Sequence, residues 1–202
     1  DIKEVRSLRE LGVYFLSNLA SPFAYGKLRQ MLQLGSVNTV KSYVEFLENS
    51  YIIFTTSKFS YSFKKQLSAQ HKAYCIDNGL AEFVAFQFSK NKGKFLENTV
   101  FMELKRRGKD IYFYKNAADL EVDFLIKEEK NNIQLIQVTE SLEKTDVHDR
   151  EIRALMAAME EYKIRQAIIL TEDNEQTIKA KNKTIIVKPI YKWLLENTGR
   201  LT

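Results

Sequence analysis

Polar residues with catalytic or ligating chemistry lie in a predicted helix and in two predicted strands, where apolar side chains are expected. Glu97 lies within the apolar stripe of a predicted helix, FLENTVFMELKRRG. Asp123 lies in the predicted strand LEVDFLIK, and Gln137 and Thr139 share one face of the next strand, IQLIQVT. A buried carboxylate is costly unless it is paired, hydrogen-bonded or bound to a metal. Glu97 is therefore a candidate metal ligand, and a salt bridge or a backbone cap is the alternative.

The composition bounds the classes of protein to consider. The chain has 202 residues, is 45% hydrophobic and 28% charged, and carries a net charge of +5, which permits a polyanionic partner without demanding one. A single cysteine, Cys75, excludes a disulfide framework and fits a reducing, cytoplasmic setting. His71 and His148 are too far apart to predict a zinc site. No apolar run approaches the roughly 20 residues that span a bilayer, so no membrane partner is expected.

The first third of the chain is predicted to be helical. SLRELGVYFLSNLA has helical apolar spacing, YGKLRQML is a second short helix, and Ser36 is placed to cap a third that runs to about Asn49. Two β-prone runs around Ser57 and Lys58 predict a hairpin. Three helices and a hairpin predict a winged-helix domain over residues 1–70.

The third helix is the candidate DNA-recognition element. Its outward face carries short, polar or basic side chains, which suit the major groove, and the predicted hairpin ends in two lysines. A solvated helix face is the other interpretation. The candidate nucleic-acid contacts are Asn38, Thr39, Lys41, Ser42, Lys58, Lys64 and Lys65.

The remainder, residues 71–202, is predicted to form a second domain of α/β type. AYCID and QAIIL predict strands. An amphipathic helix that precedes further strand and helix patterns is predicted from the apolar residues Ile152, Leu155, Met156, Met159 and Tyr162. The basic stretch SKNKGK, residues 89–94, loses periodicity and is the clearest junction in the composition. The order predicts a mixed sheet flanked by helices.

These motifs together resemble a known superfamily. LEN on a helix, VDF on one strand and IQV on the next resemble the PD-(D/E)XK nucleases. With the predicted winged helix in front, the chain resembles the C-terminal half of a group of bacterial and archaeal AAA-type ATPases, whose nuclease-like domain has no assigned function. The resemblance implies an α/β (α+β) fold: an N-terminal winged helix followed by a restriction-endonuclease-like mixed sheet flanked by helices.

The resemblance also implies partners and a site. An ATPase domain would precede this chain, with Asp1 at a cut point, because the phosphate-cradling pattern GxxxxGK[ST] is absent and ATP would bind only through that missing domain. Glu97 and Asp123 match the helix and strand acids of active nucleases, which hold Mg²⁺. Gln137 and Thr139 stand where a second acid and a lysine are expected, and neither supplies that charge.

Three functions follow from these observations. The first is a DNA-binding or partner-recognition module with a degenerate, catalytically inactive nuclease core, contacting double-stranded DNA and the ATPase domain of the same protein. The second is a metal-dependent nuclease with an eroded site. The third is a protein-interaction domain, for which outward apolar residues such as Phe46 and an oligomeric state would argue.

Overall fold

The computed structural model describes residues 5–67, 69–84, 92–128 and 132–196. The chain divides into two compact units, Asp1–Asn98 and Thr99–Thr202. Among the described residues, no helix combines the length and apolarity needed to cross a membrane.

The first unit contains helices and a small antiparallel sheet. Its elements in chain order are α1 (Val5–Ser17), β1 (Pro22–Phe23), α2 (Tyr25–Met31), α3 (Val37–Asn49), β2 (Ile53–Ser57), α4 (Phe63–Leu67), β3 (His71–Cys75), α5 (Asn78–Val84) and the start of α6 (Lys92–Arg106). The three strands lie in the order β1-β3-β2, and both neighbours are antiparallel to β3.

The predicted helices of this unit are confirmed. The Ser36 hydroxyl accepts a hydrogen bond from the Thr39 N–H at 3.1 Å, so Ser36 caps α3 as its position predicted. The buried stripe of α3 consists of Val40, Tyr43, Val44 and Leu47. Val37 has the same helical spacing as Val40, Val44 and Leu47, but it stands in the first turn and is exposed, whereas Tyr43 is buried.

The predicted hairpin has a different second strand. β2 pairs with β3, from Ile53 opposite Cys75 to Ser57 opposite His71, rather than with the aromatic run that follows Lys58. That run precedes α4, which is where Lys64 and Lys65 lie. β3 is the better partner because four of its five residues are buried, as the central strand of a sheet requires.

The first unit also reaches beyond the predicted domain end at residue 70. The cause is β3, which the sequence analysis assigned to the second domain and which forms the centre of the first unit's sheet. Within SKNKGK, residues 89–91 lie outside the described part of the chain, whereas α6 begins at Lys92.

The second unit is built on a six-stranded mixed sheet, as predicted. Its elements are the rest of α6, β4 (Asp110–Lys115), β5 (Glu121–Lys127), β6 (Ile133–Val138), α7 (Thr145–Glu161), β7 (Gln166–Thr171), β8 (Gln176–Ala180), β9 (Lys183–Pro189) and α8 (Ile190–Leu195). The strand order is β4-β5-β6-β7-β9-β8, in which β6, β7 and β9 run parallel and the other neighbours are antiparallel. β8 was not predicted, because it is a short, largely exposed edge strand.

Candidate functional site

The outward face of α3 presents the side chains that the sequence analysis selected. Asn38, Lys41 and Ser42 are exposed, and Thr39 is half-buried beside the capping Ser36. The opposite face carries the buried stripe, so the core fixes which side of α3 meets solvent. This face can offer amide, hydroxyl and ammonium groups to a ligand.

A groove of about 590 Å³ runs along the same helix. Its lining includes an exposed aromatic ring, Phe46, and one acid, Glu45. The end of the helix is tied to the sheet, because the Glu48 carboxylate accepts hydrogen bonds from the Thr55 N–H at 2.9 Å and the Thr55 hydroxyl at 2.8 Å. The described lining residues are Ser36, Asn38, Thr39, Ser42, Tyr43, Glu45, Phe46 and Asn49.

The candidate lysines of the first unit differ in their surroundings. The Lys41 ammonium lies 5.6 Å from the centre of the Tyr25 ring. Lys58 is half-buried at the end of β2, and its N–H donates to the Gln70 carbonyl at 3.0 Å. Lys64 and Lys65 are exposed on α4. The structure therefore distributes these lysines over α3, the end of β2 and α4.

Glu97 lies in a buried polar cluster of the first unit. One carboxylate oxygen accepts from the Lys72 ammonium at 2.9 Å and from the Tyr74 hydroxyl at 3.0 Å. The other oxygen accepts from Lys94 at 3.0 Å. The salt-bridge alternative for Glu97 is thus present. Burial by itself raises the pKa of Glu97, but the positive charges of Lys72 and Lys94 outweigh it and hold this pKa below its ordinary value.

The neighbouring residue, Asn98, is held in the same way. Its amide oxygen accepts from the Cys75 N–H at 2.8 Å, and its amide nitrogen donates to the Cys75 carbonyl at 2.9 Å and to the Asn78 side chain at 2.8 Å. The LEN segment therefore binds α6 to β3 and α5 within the first unit.

Asp123 and Gln137 contact each other in the second unit. At this end of β5 and β6, hydrogen bonds from side chains replace the main-chain pairing of the two strands. Beyond the Phe124–Ile136 pair, the Asp123 N–H donates to the Gln137 amide oxygen at 3.0 Å. The Val138 N–H donates to the Asp123 carboxylate, also at 3.0 Å. Both polar side chains are buried and hold the two strand ends together.

A further acid, Glu151 of α7, belongs to this cluster. Its carboxylate accepts from the Gln137 amide nitrogen at 2.5 Å and from the Arg150 guanidinium at 2.6 Å. Arg150 has a raised pKa, first because of its hydrogen bond to Glu151 and then because of the charge of that residue. The Thr139 hydroxyl donates to the Ser141 carbonyl at 3.4 Å.

The donor atoms of this cluster do not fit a divalent cation. The Gln137 carbonyl, which would be the second ligand after Asp123, accepts a main-chain hydrogen bond, and Glu151 is engaged by Gln137 and Arg150. Across the described ranges, no group of three or more His, Cys, Asp or Glu side chains is arranged to hold a metal ion.

Sequence reasoning missed Lys72, Tyr74 and Glu151. The side chains of Lys72 and Tyr74 lie on the same face of β3, because they are two residues apart. A lysine inside the run HKAYC indicated a buried charge. Glu151 falls at helical spacing with the buried Leu155 and Ala158. Like Glu97, Glu151 is an acid within an apolar stripe, so the sequence carried a signal of its burial.

Comparisons with known proteins match most of the chain. The family described as Domain of unknown function (DUF4143) matches residues 92–193, and Domain of unknown function (DUF8612) matches residues 1–91. A solved structure titled as a refined half-complex from a tetradecameric assembly of Thermococcus gammatolerans McrB AAA+ hexamers with bound McrC aligns with a TM-score of 0.38 at 10% identity. The alignment covers 89% of this chain and 46% of that chain. A TM-score this low supports no conclusion about fold or function.

Two curated relatives are similar in sequence. An uncharacterized protein of Methanocaldococcus jannaschii, MJ1544, is 35% identical over 205 residues, which cover 96% of this chain and 45% of the relative. An uncharacterized protein of Haemophilus influenzae is 26% identical over 141 residues, covering 68% of this chain and 35% of the relative. The chain thus spans less than half the length of these relatives. It belongs to the family described as Domain of unknown function (DUF4143).

Proposed function

We propose that this chain is a recognition module that binds double-stranded DNA through α3 of its first unit, which acts as a winged helix. The second unit is a nuclease-like platform that does not cleave DNA. The module serves an AAA-type ATPase, whose motor domain is part of the same longer protein.

The observation that carries the DNA-binding proposal is the exposed polar face of α3. Asn38 and Ser42 can reach base edges, because amide and hydroxyl groups pair with the exposed donors and acceptors of bases in the major groove. The buried stripe and the bond between Glu48 and Thr55 hold this helix in one orientation. A rigid helix loses less freedom on binding than a mobile segment does.

Lysines beside this face supply contacts to the phosphate backbone. Lys41 lies on α3 itself, and Lys58, Lys64 and Lys65 lie at the end of β2 and on α4. Such contacts position a protein on DNA and make its affinity depend on salt.

The proposal of an inactive second unit rests on the surroundings of Gln137. Active members of the PD-(D/E)XK superfamily, which the chain resembles, have a carboxylate at this position and a lysine two residues later. Here Gln137 is an amide engaged at both ends, and Thr139 carries no charge. No step of phosphodiester cleavage is therefore assigned to this chain.

The proposed link with an ATPase has two supports. The ordered motifs of the chain resemble the region that follows the motor in a group of AAA-type ATPases. The curated relatives are also much longer than the part that this chain matches, so they have room for a further domain.

Substitution on α3 tests the DNA-binding proposal. Lys41→Ala is expected to weaken binding to a DNA duplex at every sequence and to lower the slope of log affinity against log salt by about 1. The matched control is Lys179→Ala, which removes an exposed lysine from β8 of the second unit and should leave affinity unchanged. Fluorescence anisotropy measures both. Equal weakening by the two variants would contradict recognition through α3.

A further inference from the structure

A second groove of the first unit, of about 680 Å³, lies between α2 and the start of α3. It shares the capping residue, Ser36, with the groove along α3. Its described lining carries two basic side chains, Lys27 and Arg29, and no acidic one. The groove is open, whereas small ligands usually bind in cavities that enclose them. It therefore suits one side of an extended, negatively charged polymer.

Both basic side chains are available to an external anion. Lys27 is exposed and Arg29 is half-buried on α2. Across the described ranges, no ion pair joins either side chain to a carboxylate. Gly26 and Gly35 also line the groove, and a Cβ atom added at either glycine would lie in open space. A polymer backbone can therefore approach the main chain closely at these two positions.

The position of α2 relative to a bound duplex follows from its packing against α3. Leu28 of α2 belongs to the same buried core as Val40 and Val44 of α3. Packed helices lie about 8–10 Å apart, whereas the major groove of DNA is about 12 Å wide and admits one helix. When α3 occupies the major groove, α2 must therefore cross the strand that borders it.

We propose that the groove between α2 and α3 seats the sugar-phosphate backbone of one DNA strand, with Lys27 and Arg29 contacting its phosphates. This inference rests on the proposed binding of DNA through α3, and it adds a second contact surface on α2. The two surfaces differ in their chemistry. The amide and hydroxyl groups of α3 face the bases and give specificity, and the cations of α2 face the phosphates and fix the position of the duplex.

Substitution at Gly26 tests the charge of the groove. Gly26 is exposed and has room for a side chain, so Gly26→Asp and its matched control, Gly26→Asn, are expected to fold alike. The two variants have nearly the same size and differ by one negative charge. Gly26→Asp should reduce the steepness of log affinity against log salt by about 1 relative to Gly26→Asn, because its carboxylate offsets one cation of the groove. Fluorescence anisotropy with a DNA duplex measures both slopes, and thermal unfolding checks the fold.

Lys27→Ala decides the question if the glycine variants do not fold. It shortens an exposed side chain, and it should reduce the steepness of the salt dependence by about 1, as expected for the loss of one phosphate contact. Lys179→Ala, on the exposed strand β8 of the second unit, is again the control and should bind DNA as the wild type does.

Two results would overturn the inference: equal slopes for the folded variants Gly26→Asp and Gly26→Asn, or a wild-type slope for Lys27→Ala. Either result beside a reduced slope for Lys41→Ala would leave the proposed function intact. A wild-type slope for Lys41→Ala beside reduced slopes for the groove variants would instead contradict recognition through α3 and support the groove. A chain that binds no duplex at low salt would contradict both proposals.

Discussion

Glu97 is the residue at which two interpretations of the same sequence meet. Its place in an apolar stripe fits a metal ligand of a nuclease and equally fits a buried ion pair. In the structure both carboxylate oxygens bind cations, Lys72 on one side and Lys94 on the other. Lys72 is fully buried, so the pair is a requirement of the first unit's core.

Substitution of Glu97 should destabilise the fold. Glu97→Gln removes the buried carboxylate charge that faces Lys72 and Lys94, which is expected to lower the free energy of unfolding by about 3–5 kcal/mol. Urea denaturation measures this change. The control is Glu10→Gln, which breaks a largely exposed pair with Arg6 and should leave stability within error of the wild type.

The same substitution has a defined pH dependence. Because the folded pKa of Glu97 lies below its ordinary value of 4.5, its charged form stabilises the fold above that pH. The stabilisation is lost as the pH falls through the folded pKa. The stability gap between wild type and Glu97→Gln should therefore narrow below pH 4.5, and a gap that widens there would contradict the ion pair.

At the scale of elements, β3 organises the first unit. β1 pairs with it only at His71 and Lys72, and the Ala20 N–H bonds to the Ala73 carbonyl. The Asn98 amide then takes both main-chain groups of Cys75. β1 thus pairs with the first two residues of β3, and the Asn98 side chain of α6 bonds to the main chain of β3 at its last residue.

Loss of that side chain should weaken the unit measurably. Asn98→Ala leaves the buried main-chain groups of Cys75 without these partners, at an expected cost of about 1–3 kcal/mol in the free energy of unfolding. Asn18→Ala is the control, because Asn18 follows α1 directly and its exposed side-chain amide donates to the Tyr14 carbonyl of that helix at 2.8 Å. Equal stability of the two variants in urea would show that Asn98 is not a structural tie.

Local elements were predictable from the sequence, and their partners were not. The cap at Ser36 depends on residues within one turn of each other, so the local pattern alone identified it. The partner of β2 lies beyond α4, and the aromatic run nearer to it had equally good strand propensity. Burial in the centre of a sheet decided between them, and that is a property of the tertiary fold.

The candidate sites show the same limit. Asp123 and Gln137 were found because both stand on predicted strands, and their hydrogen bond follows from the pairing of β5 with β6. The helical spacing of Glu151 indicates a buried acid, but its hydrogen bond to Gln137 was not predictable, because α7 comes into contact with these strands only in the folded unit.

At the scale of the whole molecule, the two units carry separate polar centres. Glu97 is paired with Lys72 and Lys94 in the first unit, and Glu151 is paired with Arg150 in the second. These two buried acids are thus held by basic side chains of the chain itself. The exposed face of α3 is the surface that this account assigns to DNA.

The most direct test is the affinity of the chain for an unspecific DNA duplex, measured by fluorescence anisotropy across a salt series with and without Mg²⁺. The account predicts binding at low salt, with log affinity falling linearly as log salt rises and with no dependence on Asp123. Absence of binding at low salt would contradict the central claim that the first unit contacts the phosphate backbone.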